Sequence, residues 1–88
     1  MLKITRLSHK GRGLTIKLEG EILGPWVGAV RDAFTKQRRR SGRPRLDLAA
    51  VTYVDAAGVQ LLRDLMAEGI EIAAYSSFVG ELLHLENS

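Results

Sequence analysis

The chain begins with alternation. Leu2 and Ile4 alternate with polar neighbours, and Leu14, Ile16 and Leu18 do so more clearly. A period of two marks half-buried strands. Between the runs lies SHKGRG, whose two glycines suit a turn, so the opening predicts a hairpin. The period then changes. In GEILGPWVGAVRDAFTKQRRRSG, residues Trp26, Val27, Val30, Ala33 and Phe34 recur at helical spacing, with Gly24–Pro25 as the start and Pro at the first helical position. Lys36, Arg38, Arg39 and Arg40 fall in the last turns, where cations favour the helix dipole; Gly42 suits a stop and Pro44 prevents continuation.

PRLDLAAVTYVD is a strand signal rich in Leu, Val and Tyr, and its apolar content predicts a central strand covered on both faces. From Asp55 the spacing is helical again, with Val59, Leu62 and Met66 on one stripe and Ala57, Leu61 and Leu65 beside it. Asp55 is placed to cap this helix, because its carboxylate can accept from free backbone N–H groups, and Gly69 ends it. IEIAAY reads as a short strand, and SSFVGELLHLEN as a last helix with Phe78, Leu82 and Leu83 inward. The order β-β-α-β-α-β-α implies crossovers, an α/β fold with a mixed four-stranded sheet, and helices packed mainly on one face. No repeat, linker or low-complexity tail interrupts it, so residues 1–88 read as one domain.

Composition changes this picture in one place. The chain has 88 residues and a net charge of +3, but residues 1–45 carry 12 Lys/Arg against 3 Asp/Glu, and residues 46–88 carry 1 against 7. Six of the cations, Lys36, Arg38, Arg39, Arg40, Arg43 and Arg45, crowd into KQRRRSGRPR. Such a run contacts phosphate groups of nucleic acid or lipid in some proteins, and in most is a solvated helix end. No aromatic residue is interleaved with it, so stacking on bases gains no support. Cysteine is absent, which removes disulfides and thiolate metal sites and makes a reducing cytoplasm the expected compartment. No apolar run approaches the ~18 residues of a membrane span, and the N-terminus is too alternating for a signal peptide.

Catalytic chemistry finds no constellation. The histidines are His9 and His84, and the serines show no nucleophile elbow. Neither GRG nor DAAG matches a phosphate loop with its lysine. No cofactor or metal is expected, and the chain does not read as an enzyme. The joint VDAAGV is different. A strand that feeds straight into a helix exposes the helix N-terminus at the end of the sheet, and small residues there let another surface approach the backbone. The plainer use of Ala56, Ala57 and Gly58 is tight packing where helix meets sheet.

These residues carry a resemblance. LTIKLEGEIL and LDLAAVTYVDAAGVQLLRDLMAEGIEIA resemble a STAS domain, the fold of bacterial anti-sigma factor antagonists, over residues 1–85. Three features carry it: the LEGEI strand end, the LDLAAVTYVD strand, and the Asp-small-small-Gly joint before a leucine-rich helix. In phosphorylated members the residue just before that glycine is the hydroxyl modified by a partner, a histidine-kinase-like ATPase that also holds a sigma factor. The equivalent position here is Ala57, which has no oxygen to phosphorylate. Leu23 is a second departure, standing where antagonists often carry Asp.

The resemblance implies a constitutive protein-binding regulatory module in a partner-switching or related complex. Its docking face would centre on Asp55, Ala56, Ala57 and Gly58, with Val59, Leu23 and Trp26, and then Gln60 and Arg63. Trp26, beside Pro25, reads as a half-buried anchor that packs on the sheet; exposed, it would instead suit a contact hot spot. The expected partner is a kinase-like anti-sigma factor or another ATPase, and a second copy of the chain is a further candidate. Two other readings remain: an accessory subunit bound to the ATPase of a bacterial lipid-transport system, reaching the membrane only through it, and a nucleic-acid binder using the basic run.

Overall fold

The computed structural model describes residues 2–9, 13–37 and 44–85. Strands β1 (Leu2–His9) and β2 (Gly13–Ile22) form the expected antiparallel hairpin. Helix α1 (Gly24–Gln37) crosses over to β3 (Arg45–Val54), which lies parallel to β2. Helix α2 (Ala56–Ala67) crosses to β4 (Glu71–Tyr75), parallel to β3, and α3 (Ser77–Leu82) follows. The sheet order is β1-β2-β3-β4. The predicted element order therefore holds throughout. The stop at Gly42 and the cations Arg38, Arg39, Arg40 and Arg43 lie outside the described residues, as does the Lys36 side chain. No helix among the described residues is long and apolar enough to cross a membrane.

The core sits between one face of the sheet and the helices. Ile16, Leu18 and Ile22 of β2, Leu46 and Leu48 of β3, and Leu61, Leu62 and Leu65 of α2 are all buried there, joined by Val30, Ala33 and Phe34 of α1. Each fully buried aliphatic side chain contributes about 1.5–3 kcal/mol. The opposite face carries charge pairs such as Lys17–Glu19 and Arg45–Glu71, together with the exposed Leu7 and Tyr53.

Strand β3 is thus covered on one face, not on both. Its inward residues are Leu46, Leu48, Val51 and Val54, a spacing that strict alternation does not produce. Two irregularities in its pairing with β2 account for it: Lys17 and Glu19 pair with Asp47 and Ala50, and Gly20 and Glu21 with Val51 and Tyr53. Each inserts an extra β3 residue, and each turns the following side chain to the other face. Asp47 steadies the first by accepting from the Ala49 N–H at 2.9 Å, and the Thr52 hydroxyl donates to the Gly20 carbonyl at the second.

Two helix faces also differ from expectation. In α2 the buried stripe is Gly58, Leu61, Leu62 and Leu65, while Val59 and Met66 are half-buried and Ala57 is exposed. In α3 it is Val79 and Gly80 that are buried; Leu83 follows them inward, but Phe78 is exposed and Leu82 half-buried. The helix is short because it is stopped early. Leu85 N–H donates to the Gly80 carbonyl and His84 N–H to that of Glu81, with His84 at φ 57°, which is a Schellman stop. Helix α2 ends the same way on Gly69, at φ 93°.

Candidate functional site

The joint between β3 and α2 is organised by one carboxylate. Asp55 has extended backbone and stands as N-cap of α2, with Oδ1 accepting from the Gly58 N–H at 2.8 Å. Its Oδ2 accepts from the Gly24 N–H, also at 2.8 Å. Gly24 is the first residue of α1, so a single side chain caps both helices and ties the end of β2 to the end of β3. The Asp55 N–H completes the tie by donating to the Ile22 carbonyl. Hydrogen bonds from Gly58, then Gly24, hold the carboxyl below its ordinary 3.8, against a smaller opposing effect of burial.

Gly58 is required by space. A Cβ built on it would lie 2.6 Å from the Ile22 carbonyl oxygen and 2.7 Å from a Val54 methyl. The first turn of α2 therefore rests directly on the ends of β2 and β3, the close approach expected of a glycine there. A Cβ on Gly24 would instead stand 3.7 Å from the Ala57 Cβ, an ordinary contact. Seven residues farther along both helices, Arg31 Nη2 donates to Asp64 Oδ2 at 2.8 Å, and Asp64 Oδ1 accepts from the Gln60 amide. Those two hydrogen bonds, with Arg31 first, lower the Asp64 carboxyl from its ordinary value. Helices α1 and α2 thus run parallel and side by side, with both N-termini at the same end.

The surface at that end is small and apolar. Ala56 and Ala57 are exposed, as are Pro25 and Trp26; Leu23 and Val59 are half-buried. Trp26 is 40% exposed, so the anchor packed on the sheet gives way to an indole that presents much of its surface to solvent. Sequence reasoning did not foresee the second use of Asp55, because a cap that serves a neighbouring helix is invisible in local spacing.

Other candidates are not at this end. Arg45, the described member of the basic run, pairs through Nε with Glu71 at 3.3 Å. His84 is exposed at the α3 stop, and His9 lies in β1. Among the described residues no three His, Cys, Asp or Glu side chains come together as a metal would need. A shallow hollow beside α3 is lined by Phe78, Glu81 and Leu82.

This is an α/β sandwich of a mixed sheet and one helical layer, with two helix starts clamped at one end. Comparison with solved structures identifies the arrangement as the STAS fold. An anti-sigma-factor antagonist STAS domain from Rhodobacter sphaeroides superimposes with a TM-score of 0.64 at 24% identity, covering 90% of this chain and 89% of that one. Mglu also matches, with a TM-score of 0.58 at 28% identity over 82% of this chain but only 18% of that one. A native-form Mglu structure gives the same score at 23% identity, and this chain spans 23% of it. No family model matches the chain, and neither does any curated protein sequence.

Proposed function

We propose that the chain is a non-catalytic regulatory module that binds another protein through the paired helix starts. The observation that carries the reading is the joint itself. Asp55 is spent entirely on internal caps, so the exposed surface around it is Ala56, Ala57, Pro25 and Trp26, which is apolar and uncharged. A half-exposed tryptophan beside small residues is the composition of a contact hot spot. The STAS fold of an anti-sigma-factor antagonist supports the same reading, and a kinase-like ATPase is the partner class it favours.

The site is a constitutive one. Ala57 stands next to Gly58 at the helix start and offers no hydroxyl, so no phosphate dianion can form there to repel a partner. Binding is then set by the amounts of the two proteins and not by modification at this position.

The test is a paired pull-down from native cells with wild type and Ala57→Glu as baits, followed by titration of any differential protein against both purified forms. Ala57 is exposed and lies in the first turn, where an acid suits the helix dipole, so the variant should melt within about 3 °C of wild type. An ATPase held by wild type and lost by Ala57→Glu, whose binding also shifts the emission of the single tryptophan, Trp26, supports the proposal. A partner bound equally by both forms places docking elsewhere.

A further inference from the structure

The outer surface of the α1–α2 layer carries two opposite charges that no other described residue pairs with. Asp32 on α1 and Arg63 on α2 are both exposed, and neither has an ion-pair partner among the described residues. They lie on the sides of their helices opposite the buried stripes, Val30–Ala33–Phe34 in α1 and Leu61–Leu62–Leu65 in α2. The helix register fixes their heights. Arg31 meets Asp64, and Gly24 meets Ala57, so a residue of α1 stands level with the residue 33 positions later. Asp32 is one residue past Arg31 and Arg63 one before Asp64, which separates them by about 3 Å along the axis.

We infer that this face pairs with the same face of a second copy of the chain, about a two-fold axis parallel to the helices. Such an axis lays α1 of one protomer over α2 of its partner, parallel and at the same height. Asp32 of each protomer then stands opposite Arg63 of the other, and the isologous contact closes with two ion pairs and no like charges opposed among the described side chains. The surface around these residues allows close approach. Gly28 and Ala29 on α1 and Ala56 on α2 are exposed and small, and Gln60 is already held by Asp64. Gly28 lies inside a helix, where glycine is unfavourable, and a Cβ built on it meets nothing within 4 Å. No described residue crowds that glycine, and its bare face leaves room for a helix packed across it. This inference rests on different observations from the docking site, although the two faces share Ala56 and Arg63.

Sedimentation velocity on the full chain, from micromolar to millimolar, is the test. The expected species is a dimer of the 9.7 kDa chain that dissociates more readily as salt is raised. Asp32→Arg and Arg63→Asp should each weaken it about tenfold or more, and the double variant should restore it, because the swapped charges again face each other. Gly28→Tyr tests the contact without the charges; there is room for the side chain in the monomer, so it should fold normally and remain monomeric. A wild type that stays monomeric at millimolar concentration overturns the inference. So does a dimer that Gly28→Tyr and both single reversals leave intact.

Discussion

A methyl group separates the glycines at positions 58, 24 and 28 into three outcomes. At 58 it would press on the Ile22 carbonyl oxygen at 2.6 Å, a backbone atom that already accepts from Asp55. Gly58→Ala gains helix propensity of about 1 kcal/mol but forces α2 off the strand ends, and a net loss of about 1–3 kcal/mol is expected. At 24 the new group makes ordinary contacts, so Gly24→Ala should change stability by less than about 0.5 kcal/mol. At 28 it enters open space, and Gly28→Ala should gain about 0.5–1 kcal/mol. Urea unfolding of the three variants checks the order; a neutral Gly58→Ala would mean that the helix start is free to shift. The role of Gly58 was legible in the sequence, since a glycine just after a strand–helix joint points to close packing. That of Trp26 was not, because helical spacing places a residue on a face without saying whether the sheet reaches far enough to cover it.

The helices of this protein are delimited by their stops as much as by their apolar faces. Gly69 and His84 occupy the same left-handed position in two Schellman motifs, and the glycine is at ease there while the histidine is not. His84→Gly should therefore stabilise the protein by about 0.5–1 kcal/mol, and Gly69→Ala should destabilise it by about 1–2 kcal/mol, both measurable by thermal unfolding. A destabilising His84→Gly would show that the imidazole contributes more than its backbone strain costs. The Gly69 stop was plain from the sequence. The His84 stop was not, and the last helix was expected to run on through LLHLEN for that reason. Strand β3 failed differently. LDLAAVTYV is apolar at both parities, and only its pairing partner decides which parity turns inward; the extra residues at Leu48–Ala49 and at Thr52 switch it twice. Element order and strand direction survived these errors because they depend on where the period changes, not on which face is buried.

Taken whole, the molecule is one helical layer on one sheet face, and two carboxylates hold that layer together. Asp55 joins the starts of α1 and α2 and Asp64 joins their middles. The opposed charges of the two halves of the chain thus become contacts between elements, as Arg31–Asp64 and Arg45–Glu71 also illustrate. Exposed pairs of this kind contribute little singly. Both aspartates, however, titrate below their ordinary 3.8 in the folded protein. A carboxyl with a lowered folded pKa binds its proton more readily in the unfolded chain. Its stabilising effect is therefore complete above the unfolded value and is lost as pH falls through the folded one. Stability should be flat from about pH 7 to 5 and decline below about pH 4. Asp55→Asn separates the two tasks of the group. The amide oxygen can still cap α2 through the Gly58 N–H, but its NH2 would face the Gly24 N–H, donor against donor. The variant should melt below wild type at pH 7, by roughly 5–10 °C, and the two curves should converge as the pH falls through the lowered folded value of Asp55, below which the wild-type carboxyl is protonated as well. Melting curves taken from pH 7 down through the acid range, as far as both proteins stay folded, read this directly. If the gap persists once Asp55 is protonated in the folded wild type, the carboxyl acts by shape alone, and the charge-assisted tie between the two helix starts is not what holds the layer in place.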